Sequence, residues 1–237
     1  MNYAIIAAGE GSRLVQEGVA LPKPLVDIDG RPMIRRLIDI FASYRPETLS
    51  VIVNEQMTEV RDYLESIASG LPFDFRLTVR TTPSSMHSFY EVSRGFSAGK
   101  FILTTVDTIF RADDFLRYAE AFDSCDADGC MGLTTFIDDE KPLYVDVDPA
   151  TDLITAFRDA PTGKDKYISG GIYGLTAPAL DVLAGCMARG VSRMRNYQRA
   201  LIAEGLKLKA FCFPKIVDVD HAADIITAQQ FLSSDTL

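Results

Sequence analysis

The sequence predicts an α/β fold on a mainly parallel, mixed sheet, and three observations carry that prediction. Through the first half of the chain, apolar runs of strand length alternate with amphipathic helical patterns, the arrangement of βαβ units. A glycine-rich segment follows directly on the first apolar run, where such a strand hands over to a loop. The 237 residues, 47% of them hydrophobic, are enough for one α/β core, so a single domain over 1–237 is the expected organisation.

Taken in order, 2–7 reads as the first strand. Residues 32–44 place Ile34, Leu37, Ile38 and Phe41 at the i, i+3, i+4, i+7 spacing of one helical face, which packs on the sheet. A second strand follows at 49–53, a helix at 57–68 with Val60, Tyr63, Leu64 and Ile67 inward, and a third strand at 73–79. A helix at 86–96 leads to a fourth strand at 100–106, which ends on Asp107. Beyond Asp107, short β-rich segments at 130–137, 144–147 and 167–175 follow one another with fewer helices between them, so this half is expected to mix strand directions. Helices return at 177–187 and 194–204, then a strand at 207–213 and a last helix at 221–232.

Composition narrows the range of functions. The formal net charge is −9 and there is no basic tract, so the chain lacks the clustered Lys and Arg that bind a nucleic-acid backbone. No apolar run approaches the roughly 20 residues that span a bilayer, and the N-terminus lacks the basic and apolar regions of a signal peptide. A cytoplasmic protein with no nucleic-acid or membrane partner is expected. Cys125, Cys130, Cys186 and Cys212 lack the paired short spacings of a zinc site and read as free, mostly buried thiols.

The segment Ala7-Ala8-Gly9-Glu10-Gly11-Ser12-Arg13 lets the main chain approach a phosphate and turn several N–H groups toward it. Two glycines in such a turn also serve backbone geometry alone. The dinucleotide-binding pattern does not fit: its third glycine would stand at Leu14 and it would open a helix at once, whereas Pro22 and Pro24 argue against helix continuing through Lys23. No Gly-Lys-Ser or Gly-Lys-Thr marks a Walker-type loop.

The loop gains meaning from its company. Ala7-Ala8-Gly9-Glu10-Gly11-Ser12-Arg13-Leu14, Leu21-Pro22-Lys23-Pro24-Leu25 and Gly30-Arg31-Pro32-Met33-Ile34, in that order and spacing, closely resemble the nucleotidyltransferase family of sugar-nucleotide pyrophosphorylases, MobA-like NTP transferases and small cytidylyltransferases, most strongly over 3–41. The resemblance implies a Rossmann-like three-layer α/β/α sandwich of the glycosyltransferase-A type, with the nucleotide over the carboxyl ends of the first strands. It implies nucleotide binding by Ala7, Ala8, Gly9, Glu10, Gly11, Ser12, Arg13 and Lys23. Arg13 and Lys23 would be catalytic, the first on the outer phosphates and the second beside the reacting α-phosphate. On the same resemblance, 1–110 is the nucleotide-binding half and 111–237 the acceptor-binding half.

A polyphosphate under attack calls for a divalent cation, and Mg²⁺ prefers one or two carboxylates plus phosphate and water. Asp107 stands at the carboxyl end of a strand, and Asp218 and Asp220 alternate along an extended segment and so share a side. Asp220 also fits as a helix N-cap. The resemblance assigns metal-binding roles to Asp107 and Asp220, with Asp218 assisting as in the phosphocholine cytidylyltransferase branch. Asp113, Asp114 and the run 138–140 read as helix-start or solvated charges.

On the acceptor side, Thr82-Pro83-Ser84-Ser85-Met86-His87-Ser88-Phe89-Tyr90 lies where related enzymes contact base and acceptor, which points to Ser85, His87 and Tyr90; Ser84 or Ser85 equally fits a helix N-cap. The Gly-Thr pair of many sugar-nucleotide pyrophosphorylases is missing here. The Ser-Phe-Tyr arrangement is similar to the phosphocholine branch, whose quaternary ammonium binds aromatic faces. His87 reads as a hydrogen-bonding or structural residue, because a phosphate nucleophile is already ionised and needs no base. Ile168-Ser169-Gly170-Gly171-Ile172-Tyr173-Gly174 resembles the family segment beside the acceptor, pointing to Ser169, Gly170 and Gly171, with a β-bulge as the alternative. Arg193, Arg195 and Lys166 are candidate cations for an acceptor phosphate.

The expected activity is Mg²⁺-dependent transfer of a nucleoside monophosphate from an NTP to a phosphorylated small acceptor, a sugar 1-phosphate or a phosphocholine-like molecule, with release of pyrophosphate. A glycosyltransferase of the same fold and a catalytically silent nucleotide-binding regulator stay open as alternatives. The former would want a mid-chain Asp-x-Asp, which Asp107-Thr108-Ile109 does not supply. Whether the chain forms a homo-oligomer is open.

Overall fold

The first strand, β1 (Asn2–Ala7), is buried along its whole length, as a central parallel strand covered on both faces must be. The computed structural model to which it belongs describes residues 1–44, 46–96, 99–137 and 140–234; Asp138 and Asp139 of the acidic run lie outside these. After β1 the chain forms α1 (Ser12–Gln16), a 3₁₀ turn at Lys23–Leu25, a small ribbon of β2 (Asp27–Ile28) and β3 (Arg31–Pro32), and α2 (Met33–Ser43). Next, β4 (Thr48–Val53), α3 (Thr58–Ala68) and β5 (Asp74–Val79) extend the parallel sheet to one side of β1. The helix α4 (Ser85–Ser93) then returns the chain to β6 (Phe101–Thr105), which pairs with the other side of β1. That reversal of strand order makes the carboxyl ends of β1 and β6 the topological switch point, where open α/β sheets leave a crevice for ligands.

The rest of the chain comprises β7 (Thr108–Ile109), α5 (Ala112–Asp123), β8 (Gly129–Thr134), β9 (Tyr144–Val147), β10 (Ile154–Arg158), β11 (Tyr167–Leu175), α6 (Ala177–Ala188), α7 (Met194–Ala203), β12 (Leu208–Phe213), β13 (Val217–Asp218) and α8 (Ala222–Ser233). In the nine-stranded sheet β11 runs antiparallel between β6 and β8, and β12 is parallel to β8. Seven strands, β5, β4, β1, β6, β8, β9 and β12, therefore point one way, and β11 and the edge strand β10 run reversed. The period-two alternation along β1 feeds two cores: Tyr3, Ile5 and Ala7 pack with α2, α3 and α5, while Ala4 and Ile6 pack with α4, α6 and α7. The result is the mixed, mainly parallel three-layer architecture expected.

Three elements depart from the sequence expectation. A helix does open at once after the glycine loop, but α1 stops after five residues, and the prolines at 22 and 24 hold Lys23 in the 3₁₀ turn. The helix α5 occupies a stretch expected to be poor in helix: Phe115, Tyr118, Ala119 and Phe122 form its buried face, and Asp113 and Asp114 stand in its first turn, where carboxylates are favoured. Its far end is capped by Lys100, whose Nζ donates to the carbonyls of Phe122, Asp123 and Cys125 at 2.7–2.8 Å. The third is β10, which continues the sheet outward from β9. Cys130 and Cys186 are buried, Cys125 is half-buried and Cys212 is exposed. Among the described residues no helix is long and apolar enough to cross a membrane.

The β9–β10 hairpin is fastened by Arg158, which donates to both oxygens of Asp146 at 2.7 Å and to Asp165 at 2.6 Å. Arg158, helped by the N–H groups of Thr162 and Gly163, brings the Asp165 carboxyl down to about 2. A folded-state value below the ordinary ~3.9 contributes stability that is present above about pH 4 and lost as pH falls toward 2. The substitution Asp165→Asn should lower the Tm at neutral pH and flatten its decline between about pH 4 and 2. Calorimetric profiles that superimpose on wild type would contradict this.

Candidate functional site

A cavity of about 730 Å³ opens at the switch point. Ala8, Gly9, Glu10, Gly11, Ser12 and Arg13 line one side of it, and Lys23 its floor. Ala7 does not line it: alternation turns that side chain into the core on the opposite face, where it is fully buried. Gly11 has φ +62°, and a Cβ there would lie 2.8 Å from Lys23 Cβ, so the loop passes over the lysine only because this residue has no side chain.

Lys23 is 7% exposed, and its ammonium sits 2.6 Å from Asp107 and 2.7 Å from Asp220. Burial disfavours the charged amine, but Asp107, Asp220 and Asp218 outweigh it and hold the pKa above its ordinary value. Burial also opposes ionisation of Asp220, and there Lys23 and Arg13 prevail, leaving its pKa lowered. Arg13 is the second cation paired with Asp220. One carboxylate oxygen from each of Asp107, Asp218 and Asp220 lies within 4.8 Å of the others, a hard-oxygen set that fits Mg²⁺.

Two local devices bring these distant residues together. The short strands β7 and β13 pair so that Asp218 faces Thr108, and the Val219 N–H donates to the Asp107 carbonyl at 3.1 Å. Val217 and Val219 are buried and anchor the ribbon. The second device joins α1 to α8: the Glu17 carboxylate takes the His221 ring at 2.6 Å and the Ala222 N–H at 2.6 Å. These hydrogen bonds, the backbone one foremost, lower the pKa of Glu17, and Glu17 in turn raises that of His221. The N-cap of α8 is His221 rather than Asp220, because Asp224 accepts from the N–H groups of both Asp220 and His221. Asp220 thus keeps its side chain for the two cations.

On the opposite wall, Ser85, Ser169, Gly170 and Gly171 line the cavity, whereas His87 and Tyr90 do not. The helical turn of α4 presents Ser85 and Ser88 to the cavity, swings His87 back to the Ser84 hydroxyl at 2.9 Å and packs Tyr90 against the second core. Ser84 occupies the N-cap position without making a side-chain cap bond. Gly171 has φ +73°, and a Cβ there would meet the Thr108 hydroxyl at 2.6 Å, so this glycine both makes the irregularity in β11 and lets the strand approach the Asp107 turn. Arg193 and Arg195 line the cavity and Lys166 does not. Arg195 is paired with Asp159 at 2.5 Å. Arg193 adopts φ +73°, a conformation costly for a non-glycine residue, and its N–H donates to Ser84 at 3.2 Å. Among the described residues the Arg193 guanidinium has no ion pair.

Lining residues that sequence reasoning missed include Asn54, Thr105, Thr108, Ser88 and Gln198. Gln198 had a readable signal, an amide inside the stripe Met194, Tyr197, Leu201 on the buried face of α7. Asn54 and the threonines had none, since polar residues after strands are common in any loop.

A family model described as a MobA-like NTP transferase domain matches residues 3–162. The chain is 24% identical over 238 residues to the bifunctional protein GlmU of Methanococcus maripaludis, a match covering 96% of the chain and 53% of that protein. It is 37% identical over 62 residues to GlmU of Neisseria gonorrhoeae, covering 26% of the chain and 13% of that protein. The chain thus spans about half, or less, of the length of these curated relatives. Among solved structures, it is similar to an inositol-1-phosphate CTP transferase from T. maritima, with a TM-score of 0.80, 18% identity and coverage of 97% and 96% of the two chains. It is also similar to a Bacillus anthracis protein, provisionally named a glucose-1-phosphate thymidylyltransferase and crystallised with sucrose, with a TM-score of 0.85, 19% identity and coverage of 100% and 96%. At these identities the likeness is one of fold.

The close approach of β11 to the Asp107 turn is directly testable. Gly171→Ala combines an unfavourable φ with overlap on Thr108 and should cost about 1–3 kcal/mol, a Tm decrease of roughly 2–4 °C per kcal/mol. An unchanged Tm by differential scanning fluorimetry would show that the turn yields freely.

Proposed function

The chain belongs to the MobA-like NTP transferase domain family, and from that premise we propose that it transfers a nucleoside monophosphate from an NTP to a phosphorylated small acceptor, releasing pyrophosphate. The observation that carries this reading is the buried Lys23 ammonium between Asp107 and Asp220, beneath the glycine loop. Three carboxylates against the two cations Lys23 and Arg13 leave an excess of negative charge, which suits a divalent ion together with a triphosphate.

In the proposed reaction, N–H groups of residues 8–12 and the Arg13 guanidinium hold the outer phosphates. The Lys23 ammonium neutralises charge that builds on the α-phosphate oxygens, from a position its two carboxylate partners fix in advance. An acceptor phosphate oxygen attacks the α-phosphorus, a new P–O bond forms, and the bond to the bridging oxygen breaks with its electron pair leaving on pyrophosphate. Asp107, Asp218 and Asp220 would hold Mg²⁺, which when bound supplies further neutralisation of the triphosphate. The attacking phosphate is ionised at neutral pH, so no general base is required, consistent with His87 standing off the cavity. The Arg193 guanidinium is the cation we assign to the acceptor phosphate. The names of the two structural neighbours support a sugar or cyclitol phosphate as the acceptor class.

Screening four NTPs against sugar 1-phosphates, inositol 1-phosphate and phosphocholine should reveal one pair that releases pyrophosphate; calorimetric NTP binding with no turnover for any pair would instead favour a silent nucleotide-binding protein. For the active pair, Lys23→Ala should lower kcat by about 10²–10³ or more while the protein stays folded. Chelation should abolish turnover and added Mg²⁺ restore it.

A further inference from the structure

Gln198 is a buried polar group to which the proposed reaction gives no task. It is 2% exposed, on the face of α7 where Met194, Tyr197 and Leu201 are buried, and it lines the cavity. An amide in such a place is unfavourable unless both of its ends are satisfied. One end is: the Ser169 hydroxyl donates to Gln198 Oε1 at 3.0 Å. The other end, Nε2, has two donors, and no hydrogen bond from it forms among the described residues.

The place of this amide relative to the reacting groups is constrained by the chain. Gly171 packs on Thr105 and Thr108, which flank Asp107, and it lies two positions after Ser169, a span of at most about 7 Å. That is the scale of one hexose or cyclitol ring. Among the described lining residues Phe136 and Tyr173 are the aromatic ones, too few faces for the enclosure that a quaternary ammonium prefers.

We propose that Gln198, oriented by Ser169, donates a hydrogen bond to a hydroxyl group of the acceptor and so selects a polyhydroxylated phosphate over a trimethylammonium one. The inference rests on the nucleotidyl-transfer reading above and adds the residue that discriminates among acceptors. A hydroxyl oxygen of the acceptor can accept from the amide N–H of Gln198. A ligand lacking that hydroxyl leaves the amide buried and unpaired, the situation in which polar sites discriminate most strongly.

The test uses the full chain with the best NTP from the screen and, as acceptors, glucose 1-phosphate, each of its monodeoxy analogues, myo-inositol 1-phosphate and phosphocholine. Wild type should prefer a hydroxylated acceptor, and one monodeoxy analogue should lose about 10²-fold or more in kcat/KM. Gln198→Met, close in volume, should raise the acceptor KM about 10- to 100-fold, leave the NTP KM unchanged and no longer distinguish that analogue from its parent. Ser169→Ala should weaken the discrimination in the same direction through loss of orientation. The deoxy series on wild type provides a reading that does not depend on any variant folding. Preference for phosphocholine, indifference of wild type to every deoxy change, or a Gln198→Met enzyme that keeps full discrimination overturns this inference while the transferase reading stands. Absence of pyrophosphate release by wild type with every pair overturns both.

Discussion

Everything at the cavity floor depends on one buried ammonium. Removing an amine from water costs several kcal/mol unless opposite charge meets it at close range, and Lys23 obtains that charge from Asp107 and from Asp220, a residue 197 positions along the chain. The N-terminal loop therefore cannot take its shape from local sequence alone. Inside the fold the buried lysine keeps its charge because the β7–β13 ribbon sets Asp107 and Asp220 beside it. Arg13, paired with Asp220 across 207 positions, and Glu17, joined to His221 and Ala222, add two more ties between the ends of the chain. The site is thus held by contacts of very large sequence separation.

The same arrangement reconciles an acidic protein with a polyanionic ligand. The chain carries net charge −9, yet the cations facing the cavity are held individually by geometry. Lys23 is immobilised by two carboxylates, and the backbone that carries Arg193 is held by its N–H bond to Ser84. Fixed charges of this kind act at short range and do not require a basic surface. The two carboxylates that hold Lys23, Asp107 and Asp220, also belong to the metal-compatible cluster, so the cation and these ligands position each other.

Much of the fold was legible because both periodicities are strong. The apolar run of β1, the i, i+3, i+4, i+7 face of α2 and the boundaries of β9 and β11 follow directly from where water is excluded. The face of α5 is equally periodic, with Phe115, Tyr118, Ala119 and Phe122 at helical spacing. At the site, Lys23 and Asp107 stood out through their motifs. The partner choice of Asp220 did not, because capping and ion pairing call for the same residue type, and only Asp224 taking the capping bonds decides between them. His87 and Tyr90 were drawn toward the cavity by sequence proximity, but helix phase decides orientation, and a window of nine residues that opens in a loop does not reveal where that phase starts.

The reversed direction of β11 has an evolutionary consequence. Loops that face the cavity from β1 and β6 leave the carboxyl ends of their strands, while Ser169, Gly170 and Gly171 belong to the beginning of β11 and reach the same rim from the opposite chain direction. The segment that precedes them, between β10 and β11, includes the exposed stretch held by Asp165 and Arg158, and no part of the Lys23 cluster lies in it. None of that segment lines the cavity, so a change in its length reaches the site only through the start of β11, and the opposite wall keeps its own supports. Such a protein can diversify what it recognises on one side without renegotiating the other, because a single antiparallel strand keeps the two walls on separate stretches of chain.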